Sequence, residues 1–166
     1  MTFRYLFSAL FGLGFIIYSC TTPENKPSVV GLWRLVEMQE QDQITGKWHP
    51  YKKEMQGYLL YDANAHMSLH MTIVNYEKTD LSFHDLIDSV SLEELKHRSM
   101  SYNYMARYEI EPEKNIITHH RISHSNPMEW NTSVKRLIEF KSDTLTLTTL
   151  DRDAGKIRVK WIRYLR

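Results

Sequence analysis

Tyr102, Tyr104 and Tyr108 share one parity in the stretch 99–111, with Ala106 between them. On an extended chain successive side chains point to opposite faces, so these rings form a single surface. If that surface lines an interior, it is an amphipathic wall whose hydroxyl tips can hold the polar group of a ligand. Otherwise the rings fill a core and their hydroxyls find partners there. Arg136 interrupts a second row, Val134, Ile138 and Phe140. An inward guanidinium is too costly to bury alone and needs a carboxylate, a set of carbonyls or an aromatic face. Glu37 has the parity of Trp33 and Leu35 and is a candidate countercharge, while Trp33 or Trp130 is a candidate face. Arg136 is then either an anchor for a ligand carboxylate or part of a structural cluster, and the structural role is the favoured one.

The eight histidines raise metal binding and proton transfer. His66 and His70 would chelate on a helix, but on a strand they lie about 13 Å apart, too far for one ion. Met67 and Met71 point to the other face of that strand, and His119 and His120 diverge in the same way. No metal site is expected. His120 shares parity with Ile116, Thr118 and Ile122. Turned inward beside Tyr104 or Tyr108 it could act as a general acid or base, although a hydrogen-bonded core histidine is commoner. There is no nucleophile elbow, phosphate loop or paired-carboxylate signature. No catalytic residue is assigned and no cofactor is expected.

Short apolar segments separated by polar turns must position these groups. They run over 31–39, 57–62, 66–74, 99–111, 115–122, 132–140, 144–150 and 156–166. Several alternate with period two: Met67, Leu69, Met71 and Ile73 oppose His66, Ser68, His70 and Thr72, and Ile157, Val159 and Trp161 oppose Arg158 and Lys160. Such alternation marks strands with one buried face. Between the third and fourth segments Phe83, Leu86, Ile87 and Val90 have helical spacing. Ser91 with Glu94 forms a capping box before Leu92 and Leu95. The expected fold is all-β: an eight-stranded antiparallel up-and-down barrel with a short helical insertion between strands three and four. A sandwich is the alternative. Closure removes exposed edges.

Gly31-Leu32-Trp33-Arg34-Leu35-Val36 resembles the opening strand of lipocalin-like domains. The similarity continues through Gly57 to Asp62, His66-Met67-Ser68, Tyr104 to Glu109, His119-His120, Trp130-Asn131-Thr132, Arg136 and Leu145-Thr146-Leu147. In order and spacing it is similar to small bacterial lipocalin-like domains over nearly all of residues 30 to 150. Ala106 stands where such sequences commonly carry glycine. The resemblance implies a lipocalin-like barrel around a central cavity, without naming its contents. Trp33, Tyr104, Tyr108, His120, Trp130 and Arg136 are the candidate ligand-binding residues, with 82–98 capping one mouth.

Cys20, the only cysteine, ends a run from Tyr5 to Ser19 with no charged residue, behind a start bearing one cation, Arg4. That pattern reads as a secretory signal and is too short for a membrane helix. Ile17-Tyr18-Ser19-Cys20 resembles a bacterial lipobox, with Tyr18 departing from the usual small residue. The resemblance implies a lipid on Cys20 as the first mature residue, and so a protein exported to the bacterial cell envelope and held to a membrane. Residues 1–19 are then the signal, 20–28 the lipidated cysteine and a flexible tether with two prolines, and 29–166 the barrel domain. Without the signal the formal net charge falls from +1 to 0. A neutral chain has no electrostatic footprint for nucleic acid, and no polybasic patch for lipid headgroups. The first functional expectation is an envelope-anchored binder of a small apolar or amphipathic molecule. The alternatives are an interaction lipoprotein with a filled barrel, whose protein partner the sequence does not name, and a barrel enzyme of cyclase or isomerase type.

Overall fold

The structure is a computed structural model that describes residues 28–81, 90–152 and 155–164. The signal, Cys20, most of the tether and the helical spacing of Phe83, Leu86 and Ile87 lie outside the described residues. Nine strands follow in chain order: β1 (Gly31–Gln41), β2 (Trp48–Pro50), β3 (Met55–Tyr61), β4 (His66–Ile73), β5 (Ser101–Glu111), β6 (Ile116–His124), β7 (Ser133–Lys141), β8 (Thr144–Thr149) and β9 (Ile157–Arg163). Every pairing is antiparallel. β3 to β9 pair in sequence, and β1 pairs with both β3 and β9. That last pairing, from Trp33↔Arg163 to Glu40↔Ile157, closes an eight-stranded barrel and excludes the sandwich.

β2 is a short extra strand on the far end of β1. With β2 counted, the one α-helix among the described residues, α1 (Leu92–Arg98), follows the fourth strand, β4, which is the third of the segments read from the sequence. Its capping box forms as the Ser91/Glu94 spacing predicts. The Ser91 hydroxyl accepts from the Glu94 N–H, and the Glu94 carboxylate accepts from the Ser91 N–H at 2.6 Å.

The two ends of the barrel differ in their connections. At one end the turns are tight. Asp62 accepts the N–H groups of Asn64 and His66, hydrogen bonds that hold its carboxyl below the usual range. Asn115 takes the left-handed conformation (φ 54°) that ends the β5–β6 turn. At the other end, 42–54, 74–100, 125–132 and 150–156 are long. The tight end is a packed floor built around Trp33, Tyr61, Ile117 and Leu145, all about 1% exposed or less. The Trp33 indole N–H donates to the Val29 carbonyl at 2.6 Å. Arg163 lies 4.2 Å over the Trp33 ring and ties down the carbonyls of Ser28 and Val30.

Two β-bulges reset which side chains face in. In β1 the register shifts between Leu35 and Glu37, leaving Val36 as the extra, exposed residue. Met38 therefore turns inward and Glu37 outward, where it pairs with Lys160. The expectation that Glu37 neutralises Arg136 is thus corrected. In β6 the shift falls at Ile122, which is 48% exposed, and returns His124 to the interior. The second correction also concerns β6. Its inward row is Ile117, His119 and Arg121, so His120 faces the surface and hydrogen-bonds the Ser133 hydroxyl at 2.8 Å.

Candidate functional site

Above the floor the barrel is hollow. A cavity of about 610 Å³ opens toward the long loops, within the range of roughly 300–1,000 Å³ common for small-molecule sites. Its wall is apolar around Leu59, Leu69, Met71, Leu147, Val159 and Trp161, with Met38 and Met55 nearer the mouth. Thioether side chains adapt readily to irregular shapes. β5, β6 and β7 supply the polar part through Tyr102, Tyr104, His119, Arg121 and Arg136.

His119 organises the inner end. It is 1% exposed and held from both sides, its Nε2 2.8 Å from the Tyr61 hydroxyl and its Nδ1 2.8 Å from that of Tyr104. Burial, then the nearby charges of Arg136 and Arg121, push its pKa well below the ordinary value. The ring is therefore neutral, with one N–H donor and one acceptor. The Arg136 guanidinium faces the Tyr104 oxygen. A hydroxyl polarised by a nearby cation donates more strongly, which favours Tyr104 O–H donating to Nδ1 and Nε2–H donating to Tyr61. With both ring nitrogens engaged, His119 holds the tyrosines in place and is not a free base. Tyr61, fully enclosed, has its pKa raised well above the ordinary value by burial; burial raises that of Tyr102 too. Burial alone would lower the Arg136 pKa, but the facing tyrosines outweigh it and leave a permanent cation.

Arg121, the second guanidinium, is 7% exposed and lies 5.4 Å over the Tyr104 ring. It donates to Glu129 and to the Thr132 hydroxyl, both on the loop between β6 and β7. His124 stacks on Tyr104 with ring centroids 5.5 Å apart and accepts the Asn126 N–H through Nδ1. Burial lowers its pKa as well.

The six residues singled out in the sequence fall into three groups. Tyr104 and Arg136 meet in the cavity. Trp33 and Tyr108 belong to the floor beneath it, where the Tyr108 hydroxyl donates to the Asp62 carbonyl at 2.7 Å. His120 and Trp130 are outside, Trp130 half exposed with its indole N–H on the His124 carbonyl. Sequence reasoning missed Tyr61, His119 and Arg121. The signal that could have found His119 and Arg121 is the odd-numbered row of β6, which carries Ile117 beside the two polar side chains.

The fold and the site define a hollow, closed, up-and-down β-barrel with one open end. The chain belongs to the lipocalin-like domain family, whose model matches residues 30–162. No curated protein matches it. Among solved structures it is similar to a redesigned β-barrel, at 9% identity and TM-score 0.39 over 82% of this chain and 91% of that one. It is also similar to a variant of the fluorescent protein UnaG, at 10% identity and TM-score 0.37 over 81% and 95%.

Proposed function

We propose that this protein binds one small apolar or amphipathic molecule inside its barrel. The observation that carries this reading is the half-filled interior. The floor is close-packed, and above it a cavity of about 610 Å³ stays open to the long-loop end. Protein interiors normally leave few voids larger than a water molecule. A void this size, walled mainly by apolar side chains, has the form of a receptor. Burying ligand surface against that wall contributes about 25 cal/mol per Å². The interaction reading required a filled barrel, and the cavity counts against it.

Native mass spectrometry of the protein purified from cells is the direct test, with a retained small molecule of defined mass expected. A chain that emerges empty, and that takes up no environment-sensitive apolar dye such as anilinonaphthalene sulfonate, refutes the reading. We further propose that the barrel works in the bacterial cell envelope, held by a lipid on Cys20. The charge-free run before that cysteine supports this, and two acyl chains or more make anchoring stable. Cys20→Ser should abolish fatty-acid labelling and move the protein out of the membrane fraction. Unchanged fractionation would refute the anchor.

A further inference from the structure

We propose that the ligand carries an anionic head, a carboxylate, which docks on Arg136 at the inner end of the cavity with its apolar tail toward the mouth. This rests on the reading of the cavity as a receptor and adds the chemistry of its occupant.

The first argument is charge. Three guanidiniums line the cavity, Arg121, Arg136 and Arg152, against two carboxylates, Glu129 and Asp151. With His119 neutral, the pairing shows which cation stands without a carboxylate partner. Arg121 is taken by Glu129, and Arg152 reaches Glu40 at 3.9 Å. Asp151 accepts the Lys135 N–H at the rim. Arg136 forms no ion pair among the described residues. Its neighbours are the phenols of Tyr104, Tyr102 and Tyr61.

The second argument is the balance of donors and acceptors. The Trp161 indole N–H and the Arg121 Nε–H border the cavity, buried, without an acceptor among the described residues. With the Arg136 guanidinium, the lining offers donors in surplus. A ligand that fits must bring acceptors, and next to Arg136 it must bring a negative charge.

The third argument is desolvation. While the cavity holds water, Arg136 is solvated. An apolar molecule that fills the cavity expels that water, and a neutral head would strand the cation in a low-dielectric wall. A carboxylate replaces the lost solvation with two parallel N–H···O bonds on the planar fork. One cation without a carboxylate partner among the described residues also matches a monoanion. The inner position of Arg136 and the apolar rim of Met38 and Met55 fix the orientation, head inward and tail outward.

The test compares probes that share one tail: dodecanoate, dodecanol and dodecyltrimethylammonium, titrated by calorimetry at pH 7.5 into the maltoside-solubilised full chain. Dodecanoate should bind at least about tenfold more tightly than dodecanol, with the cation weakest. Arg136→Gln should remove that preference by weakening dodecanoate about tenfold or more, leaving dodecanol within about threefold. The wild-type comparison needs no variant, so the proposal stays testable if Arg136→Gln fails to fold. Tyr104→Phe gives a second variant that keeps the ring and removes the hydroxyl contacting the guanidinium. It should weaken dodecanoate and spare dodecanol. Equal binding of acid and alcohol overturns the anionic head while leaving the receptor intact, as does cation binding that matches the acid. Failure of all three probes to bind overturns the receptor reading itself.

Discussion

Lowering the pH should destabilise this barrel above all through His119, the most deeply buried histidine among the described residues. Its pKa is depressed in the folded state by burial and by Arg136 and Arg121, whereas in the unfolded chain it has its ordinary value near 6.5. The sign follows from proton uptake. Below about pH 6.5 the unfolded chain takes up a proton that the folded chain refuses, so stability is fully present above that pH and is lost as the pH falls. For one such group, acidification from pH 7.5 to 5.5 costs on the order of 1 kcal/mol. Urea titrations at both pH values, followed by tryptophan fluorescence, measure the loss. His119→Gln isolates it, because a neutral amide still offers one donor and one acceptor to Tyr61 and Tyr104 but cannot titrate. The wild type should lose roughly 1 kcal/mol more than His119→Gln over this interval. Equal losses in the two proteins would mean that His119 titrates normally and that the neutral, doubly held ring is wrong.

Other substitutions probe the parts that hold the cavity. Trp33→Ala should cost about 3–5 kcal/mol in denaturant unfolding, since it empties the floor and leaves the Val29 carbonyl without its donor. A milder loss of about 1 kcal/mol is expected for Trp33→Phe, which removes the hydrogen bond and keeps most of the ring. Gly57→Ala should prevent folding to a soluble barrel, as judged by circular dichroism and gel filtration. A β-carbon there would sit 2.2 Å from the backbone carbonyl oxygen of His70, which cannot move without breaking the β3–β4 ladder. Glu129→Ala leaves the buried Arg121 with only Thr132. It should cost about 1–2 kcal/mol and speed amide exchange in the loop 125–132.

The barrel was legible in the sequence because most of its strands obey strict alternation. Met67, Leu69 and Met71, and Ile157, Val159 and Trp161, are buried on the faces that their parity assigns. Two features were beyond a reading by parity. A bulge adds one residue without any compositional mark, and after Val36 it exchanged the roles of Glu37 and Met38. Whether the barrel is hollow depends on side-chain volumes summed layer by layer. The bulky residues Trp33, Tyr61 and Phe140 are concentrated near the floor, whereas the cavity wall above it includes slender side chains such as Val134, Thr149 and Ile157. Strand patterns do not show which residues share a layer. Register does, and register needs the pairing of all eight strands.

The misreading of β6 has a physical cause that bears on function. Ile116 and Ile122 drew the apolar face of that strand to even positions, yet its interior row is Ile117, His119 and Arg121. Hydrophobic periodicity locates a buried face only when that face is apolar, and here two of three inward residues are polar or charged. Burying them works against stability unless partners satisfy them, and they do have partners: Tyr61 and Tyr104 for His119, Glu129 and Thr132 for Arg121. On the neighbouring β7, Arg136 breaks the apolar row in the same way but forms no ion pair among the described residues and faces tyrosine hydroxyls. A barrel kept only for its stability would place an aliphatic residue at Arg136, as it does at Val134 and Ile138 on either side. The places where local pattern and buried environment disagree thus converge on one wall of the cavity. That is where a site is expected when a fold gives up stability for recognition.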